Sequence, residues 1–191
     1  MAQKTINRCS WVSDDPLYIS YHDNEWGTPV HDDKTMFEFL TLESAQAGLS
    51  WITILKRREG YRRVFMDFDA EAVANMSDEL IETALKDDGI IRNRLKVRAA
   101  VHNARIFLKI QREFGSFSDY IWGFVGGSTK VNNWKNLDEV PATSKESDAL
   151  SKDLKKRGMS FVGSTIMYAY MQATGLVNDH TRDCFRYNRN R

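Results

Sequence analysis

The sequence has little cysteine, little proline and no long apolar run. Its 191 residues include two cysteines and three prolines. No apolar segment approaches the roughly 20 residues that a membrane-spanning helix needs, and residues 1–8 lack the apolar core of a secretory signal. We therefore expect a cytoplasmic protein. Because the cytosol is reducing, a structural disulfide between Cys9 and Cys184 is not expected.

The composition excludes a disordered chain and is typical of one globular domain. Hydrophobic residues make up 42% of the sequence and charged residues 28%, and a chain of this length buries a core without disulfides. We predict a single domain over residues 1–191 and a monomer. The net charge of +1 neither requires nor excludes a nucleic-acid partner, because basic residues can be concentrated on one face.

Hydrophobic periodicity predicts an all-α fold, since no alternating β-branched run is long enough for a strand. Three predicted helices follow candidate N-caps: Asp32 or Asp33, Ser50 and Ser77. In the third, Leu80 is predicted to face inward and Gly89 to provide a left-handed stop. The remaining helices are predicted at about 93–113, 118–124, 147–157 and 161–174, with a loop over 126–140.

Two Cys and His pairs stand at opposite ends of the chain. His180 and Cys184 are four residues apart, which would place both on one helical face, and Cys9 and His22 form a second pair. Together they would make a closed tetrahedral Cys2His2 zinc site that fastens the termini. The alternative is two ordinary buried cysteines and two hydrogen-bonded histidines. The other histidines lack such partners and are predicted at the surface: His31 and His102.

A carboxylate lies on the apolar stripe of the predicted helix after Asp32. Glu43 follows Leu40 by three residues and Met36 by seven, so it shares their inward face. Burial would raise its pKa unless donors from the protein or a ligand compensate. The alternative is a partly exposed Glu at the edge of the stripe. Aromatic residues suited to a flat heterocycle, or simply to a core, lie nearby in sequence: Trp11, Tyr18, Tyr21, Trp26 and Trp51.

Residues 89–112 contain no acidic residue but seven basic ones: Arg92, Arg94, Lys96, Arg98, Arg105, Lys109 and Arg112. With the preceding helix and turn they predict a helix–turn–helix-like hairpin. Its backbone N–H groups and cations, around Gly89, Arg92 and Arg94, are expected to contact DNA phosphates without reading sequence. The alternative is a solvent-exposed helix whose basic side chains have no binding role.

Several stretches carry a family resemblance. They are Arg8-Cys9-Ser10-Trp11-Val12, Asp15-Pro16-Leu17-Tyr18-Ile19, Tyr21-His22-Asp23-Asn24-Glu25-Trp26-Gly27, Leu42-Glu43, Gln46-Ala47-Gly48-Leu49-Ser50-Trp51, Gly89-Ile90-Ile91-Arg92 and Gly175-Leu176-Val177-Asn178-Asp179-His180. Over nearly its whole length the chain resembles the 3-methyladenine DNA glycosylase I family of bacterial alkylation-repair enzymes. Long runs of this kind are far more specific than a lone motif.

The resemblance implies an all-α, helix-hairpin-helix glycosylase whose ends are joined by one structural Zn²⁺. The metal ligands would be Cys9, His22, His180 and Cys184. Glu43 and Tyr21 would contact the methylated base, and Trp51 would stack on it. The same pocket would be lined by Trp11, Tyr18 and Gln46. Gly48 and Leu49 would enter the gap left by the extruded nucleotide.

The implied reaction is hydrolysis of the N-glycosidic bond of 3-methyladenine in alkylated duplex DNA, with Glu43 as the catalytic residue. The hairpin lacks the Gly-x-Gly turn and the downstream catalytic Asp or Lys of other glycosylases, so we expect no lyase activity. One competing interpretation is a DNA- or RNA-binding module without catalysis. Another is a zinc hydrolase, although four filled ligand positions leave none for an activated water.

Overall fold

Helices account for most of the chain in the computed structural model, which describes residues 6–187. The predicted domain therefore extends beyond the described range at residues 1–5 and 188–191. The helices are α1 (Pro16–Asn24), α2 (Asp33–Gln46), α3 (Trp51–Leu55), α4 (Arg58–Val64), α5 (Ala70–Ala74), α6 (Asp78–Ala84), α7 (Arg94–Phe114), α8 (Phe117–Trp122), α9 (Lys145–Lys156) and α10 (Ser164–Ala173). Short 3-10 turns occupy Met66–Phe68, Gly123–Val125 and Leu137–Glu139. The mostly helical architecture is as predicted.

The three predicted N-cap positions coincide with the starts of α2, α3 and α6. Asp32 caps α2, because its carboxylate accepts from the Thr35 backbone N–H at 2.8 Å. Ser77 caps α6 by accepting from the Leu80 N–H at 3.3 Å. Ser50 occupies the N-cap position of α3, but its hydroxyl bonds to the Thr53 hydroxyl and makes no cap hydrogen bond.

Two predictions about the α6–α7 hairpin are wrong. Leu80 is 44% exposed rather than inward. Gly89 is not left-handed, since it is absent from the glycines of positive φ in the described range. Its role is close packing: a Cβ at Gly60 would lie 2.1 Å from the carbonyl oxygen of Gly89. The turn therefore needs Gly60 to let two backbone segments approach.

A pair of short parallel strands, which the periodicity did not predict, ties the segment 126–140 to the C-terminal part of the chain. Strand β1 (Lys130–Val131) pairs with β2 (Val177–Asn178) in the register Lys130–Val177 and Val131–Asn178. Two residues are too few for an alternating pattern to be visible in sequence. The pairing is set by tertiary contacts instead.

Helix α2 is the centre of the core, because ten of its residues are buried. Its Phe37 packs on Phe107 of α7 with ring centroids 5.1 Å apart, and Phe107 stacks on Phe117 of α8 at 4.2 Å. A helix buried on all faces carries any polar residue it holds into the interior. None of the helices between residues 6 and 187 is both long and apolar enough to cross a bilayer.

The N-terminal and C-terminal segments lie together. The Phe185 N–H donates to the Asn7 carbonyl at 3.0 Å. Next to it, Arg8 forms a forked ion pair with Asp23 of α1, with N–O distances of 2.6–3.0 Å. These contacts bring residues from the two ends of the chain against one face of α1.

Candidate active site

A cavity of about 190 Å³ opens between α1, α2, α3 and α10. All six residues predicted to meet a base line it: Trp11, Tyr18, Tyr21, Glu43, Gln46 and Trp51. Helix α1 presents Tyr18 and Tyr21 from one face, three residues apart, while α2 presents Glu43 and Gln46 with the same spacing. The sequence therefore identified the residues that the fold brings together here.

Glu43 is the one carboxylate of α2 that reaches the cavity. It is only 3% exposed, and within residues 6–187 its Oε2 has no hydrogen-bond partner. Burial raises the pKa of Glu43 to about 8, because the charged form is poorly solvated. A buried acceptor without a donor is costly. A ligand that supplies a hydrogen-bond donor or a positive charge would compensate the burial of the Glu43 carboxyl group.

Aromatic rings form the walls around Glu43. Tyr21 and Trp51 lie with ring centroids 5.4 Å apart, and Trp11 lies 5.1 Å from Tyr18 and 5.0 Å from Trp26. The indole Nε1 of Trp51 is buried, and none of the described residues accepts a hydrogen bond from it. Flat faces with few polar atoms suit a planar heterocycle.

One wall of the cavity was missed in the sequence. Leu137 and Val140, from the predicted loop 126–140, line it together with Asp179. The buried carboxylate of Asp179 accepts four hydrogen bonds of 2.6–2.8 Å, from Asn132, Trp134, Tyr168 and Gln172. Trp134, an aromatic residue in an otherwise polar segment, was the available signal. Asp179 therefore holds segment 126–140 against the cavity.

Behind the cavity wall lies a cluster of possible metal ligands. The ligand atoms of Cys9, His22 and Cys184 lie within 4.8 Å of one another, and all three residues are buried. His180, the fourth predicted ligand, is outside this group, but its ring centroid is 5.2 Å from that of His22. Its Nε2 is buried and has no hydrogen-bond partner in the described part of the chain. Burial lowers the pKa of His180 to about 3, so its imidazole is neutral.

Both histidines of this cluster are oriented through Nδ1. The Nδ1 of His22 bonds to Asp23 at 2.8 Å, and that of His180 bonds to Asn178 at 2.9 Å. Each ring therefore keeps its Nε2 for another partner, and the Nε2 of His22 lies 3.5 Å from the Cys184 sulfur. The two remaining histidines are exposed, as predicted: His31 and His102.

The residues predicted to touch DNA lie on the surface around two turns. Gly48 is exposed with φ +79°, and Leu49 is 38% exposed. Arg92 is exposed in the turn that precedes α7. The Gly89 N–H already donates to Asp87 at 2.7 Å. Arg94 forms a forked pair with Glu82. The hairpin is thus less one-sided in charge than its sequence predicted, because α6 and its following turn supply acids.

The fold and cavity define a class of mostly helical proteins with an aromatic cavity, of a shape that suits a flat heterocycle, beside a buried acid. The model of the methyladenine glycosylase family matches residues 11–187, and the chain belongs to this family.

The chain is similar in sequence to two bacterial glycosylases over nearly the full length of each protein. DNA-3-methyladenine glycosylase 1 of Escherichia coli (strain K12) is 52% identical over 182 residues, which cover 95% of this chain and 97% of that protein. DNA-3-methyladenine glycosylase of Haemophilus influenzae is 48% identical over 93% of this chain and 96% of its own. A solved structure of 3-methyladenine DNA glycosylase I from Staphylococcus aureus, which concerns 3-methyladenine recognition, superposes with a TM-score of 0.91. Its sequence is 38% identical, and the match covers 94% of this chain and 96% of that chain.

Proposed function

We propose that this chain hydrolyses the N-glycosidic bond of 3-methyladenine in alkylated duplex DNA, releasing the free base and leaving an abasic site. The observation that carries the proposal is the acceptor oxygen of Glu43, which is buried inside an aromatic cavity and has no donor among residues 6–187. Family membership and the names of the relatives support the same activity.

The chemistry of the substrate matches the cavity. A methyl group on N3 gives the adenine of the nucleotide a positive charge, so the base departs as a neutral molecule. Burial raises the pKa of Glu43 to about 8, but an adjacent cation would lower this pKa and favour the carboxylate. Trp51 would stack on the electron-poor ring, and Glu43 would accept hydrogens from the base edge. Unmodified adenine is a poorer leaving group and would be spared.

Glu43 would also act on the transition state. As the bond from the sugar carbon to the base nitrogen breaks, its electron pair goes to the base and positive charge develops on the sugar. A carboxylate in a water-poor cavity stabilises that charge better than solvent does. Water then adds to the sugar carbon and loses a proton. No residue forms a covalent bond to the sugar, in keeping with a hydrolase that has no lyase activity.

The surface around the cavity mouth suits an extruded nucleotide. Leu49, exposed on the turn between α2 and α3, would fill the gap in the duplex, with Gly48 supplying the left-handed backbone of that turn. Helices α6 and α7, joined by residues 85–93, would form the helix-hairpin-helix element. Arg92 and Arg94 would contact phosphates there.

A structural Zn²⁺ fits the Cys and His cluster. The ligands would be Cys9, His22, His180 and Cys184. The buried Nε2 of His180, which has no partner among the residues that the structure describes, supports the fourth position. The Nδ1 bonds of both rings are those expected around a metal-bound imidazole. When bound, the metal would join the two ends of the chain. Four protein ligands leave no position for water, so no step of hydrolysis would pass through it.

The test is chromatography of the bases released from methylated duplex DNA under single-turnover conditions. The parent protein should release 3-methyladenine, and Glu43→Gln should lower the rate by about 100-fold or more if it loses the electrostatic stabilisation of the transition state. Glu59→Gln, at a side chain 80% exposed, is the matched control and should leave the rate unchanged. Tight DNA binding with no base released would identify a binding module instead.

A further inference from the structure

Lys96 makes an unusual pair of contacts between the hairpin and the pocket helix. It lies in the first turn of α7 and reaches to the end of α2. Its Nζ donates to the carbonyl of Ala45 at 2.9 Å and to that of Ala47 at 2.7 Å. Burial lowers the pKa of the Lys96 ammonium. The side chain is therefore withdrawn from the solvent-facing basic surface that the sequence predicted for it.

The electrostatics of the two helices explain this placement. A cation in the first turn of α7 opposes that helix's own dipole, whereas the C-terminal end of α2 attracts a cation. Helix α2 has no basic residue in its last turn, and its last carbonyls lack intrahelical donors. In the described range, Lys96 is the only side chain that donates to the carbonyl of Ala45 or Ala47. Lys96 thus serves α2 as a C-terminal cap supplied by a neighbouring helix.

The two carbonyls that Lys96 caps lie between Glu43, inside α2, and Gly48, in the turn that follows α2. Glu43 precedes Ala45 by two residues, and Gly48 follows Ala47 directly. A Cβ added at Gly48 would meet nothing within 4 Å, so no packing against its position restrains the turn there. The Leu49 N–H bonds only one turn back, to the Gln46 carbonyl at 2.6 Å. Lys96 therefore supplies two of the contacts that fix where the Gly48 turn leaves the helix.

We propose that Lys96 is a positioning residue that couples the α6–α7 hairpin to the Gly48–Leu49 turn, and this rests on the proposed function. By holding the end of α2, it sets the direction in which Leu49 projects toward DNA while Glu43 stays in the cavity. Two of the three ammonium donors of Lys96 are taken by these carbonyls, so in the proposal it acts on the duplex through Leu49 rather than by touching the sugar or the base.

The experiment compares Lys96→Met with Lys152→Met, an exposed lysine of α9, in two measurements. The first is single-turnover release of 3-methyladenine from methylated duplex DNA. The second is affinity for free 3-methyladenine, followed by tryptophan fluorescence. We expect Lys96→Met to slow release by about tenfold or more, because small misplacements near a reacting group are costly. Its affinity for the free base should change by less than about twofold, and Lys152→Met should match the parent in both.

A double-mutant cycle with Leu49→Ala identifies the route of the effect. If Lys96 acts through Leu49, the double variant should release base little more slowly than Leu49→Ala alone. Multiplied losses would overturn the proposal, as would an unchanged rate in Lys96→Met. Loss of free-base affinity in Lys96→Met would also overturn it, since that result shows damage to the cavity.

The variant Lys96→Arg tests the proposal if Lys96→Met does not fold. Lys96→Arg keeps a cationic donor, and it should release base more slowly than the parent with unchanged free-base affinity. A folded Lys96→Arg protein that releases base at the parental rate would overturn the proposal. A parent protein that releases no base at all would instead reject the proposed function.

Discussion

Tyr21 of α1 and Trp51 of α3 face one cavity with ring centroids 5.4 Å apart and planes inclined at 49°. Thirty positions separate them in sequence, and the buried α2 lies between them along the chain. Glu43 lies on α2, so the position of this helix fixes the distance of the acid from the rings of Tyr21 and Trp51. The cavity therefore forms where α1 and α3 meet beside the C-terminal half of α2.

Replacing the Trp51 ring should weaken base binding. A stacked base contributes about 1–3 kcal/mol by alanine substitution, so Trp51→Ala should raise the dissociation constant for 3-methyladenine by about 10- to 100-fold. Trp51→Phe keeps a flat ring and should lose less. Calorimetric titration of the free base measures both variants. Equal affinity of Trp51→Ala and the parent would show that the ring does not stack on the ligand.

The sequence predicted the aromatic residues of the cavity and Glu43 better than it predicted the rest of the cavity wall. Glu43 could be placed inside because it shares the stripe of Met36 and Leu40, and this position depends only on helix geometry. Leu80 was misplaced because a short helix leaves its orientation to tertiary packing. Asp179 and Leu137 were missed because they reach the cavity through a two-residue strand pair and a 3-10 turn, which have no period to detect.

The raised pKa of Glu43 should make stability depend on pH. Its folded-state pKa of about 8 lies above the 4.5 of an unperturbed Glu. The folded state therefore binds the proton more tightly, and stability should fall as pH rises from about 4.5 through 8. Glu43→Gln removes this loss, so its Tm should exceed that of the parent increasingly between pH 5 and pH 9. Thermal melts across this range test it. A Tm difference between Glu43→Gln and the parent that does not vary with pH would contradict the assignment.

Loss of one thiolate should release the metal and loosen both chain ends. Protein purified without added metal should contain about one equivalent of zinc, and Cys184→Ser should contain much less. Its Tm should fall by about 5–10 °C, which corresponds to a few kcal/mol for a domain of this size. The exposed His102→Gln variant should retain metal and Tm. Metal-free parent protein with an unchanged Tm would remove the zinc from the proposal.

Arg92 and Arg94 should differ in their contribution to DNA binding. Arg92 is exposed, whereas Arg94 is paired with Glu82 and must exchange that partner for a phosphate. Removing a phosphate-contacting cation lowers the salt slope of binding by about 1. We expect this reduction for Arg92→Ala and a smaller one for Arg94→Ala. Binding of an abasic-site duplex across a salt series measures the slopes. The reverse order would show that Glu82 releases Arg94 when DNA binds.

Segment 126–140 should influence the base through Asp179. Trp134→Phe removes the indole donor that lies 2.7 Å from the Asp179 carboxylate, and loss of a bond to a buried charge costs about 1–3 kcal/mol. Trp122→Phe is the matched control, since it removes a 2.9 Å bond to the Val30 carbonyl at a residue that does not line the cavity. Both variants should have a lower Tm. Only Trp134→Phe should also bind 3-methyladenine more weakly, because the wall formed by Leu137 and Val140 loses its anchor. Parallel behaviour of the two variants in the binding assay would show that segment 126–140 stabilises the protein without shaping the cavity.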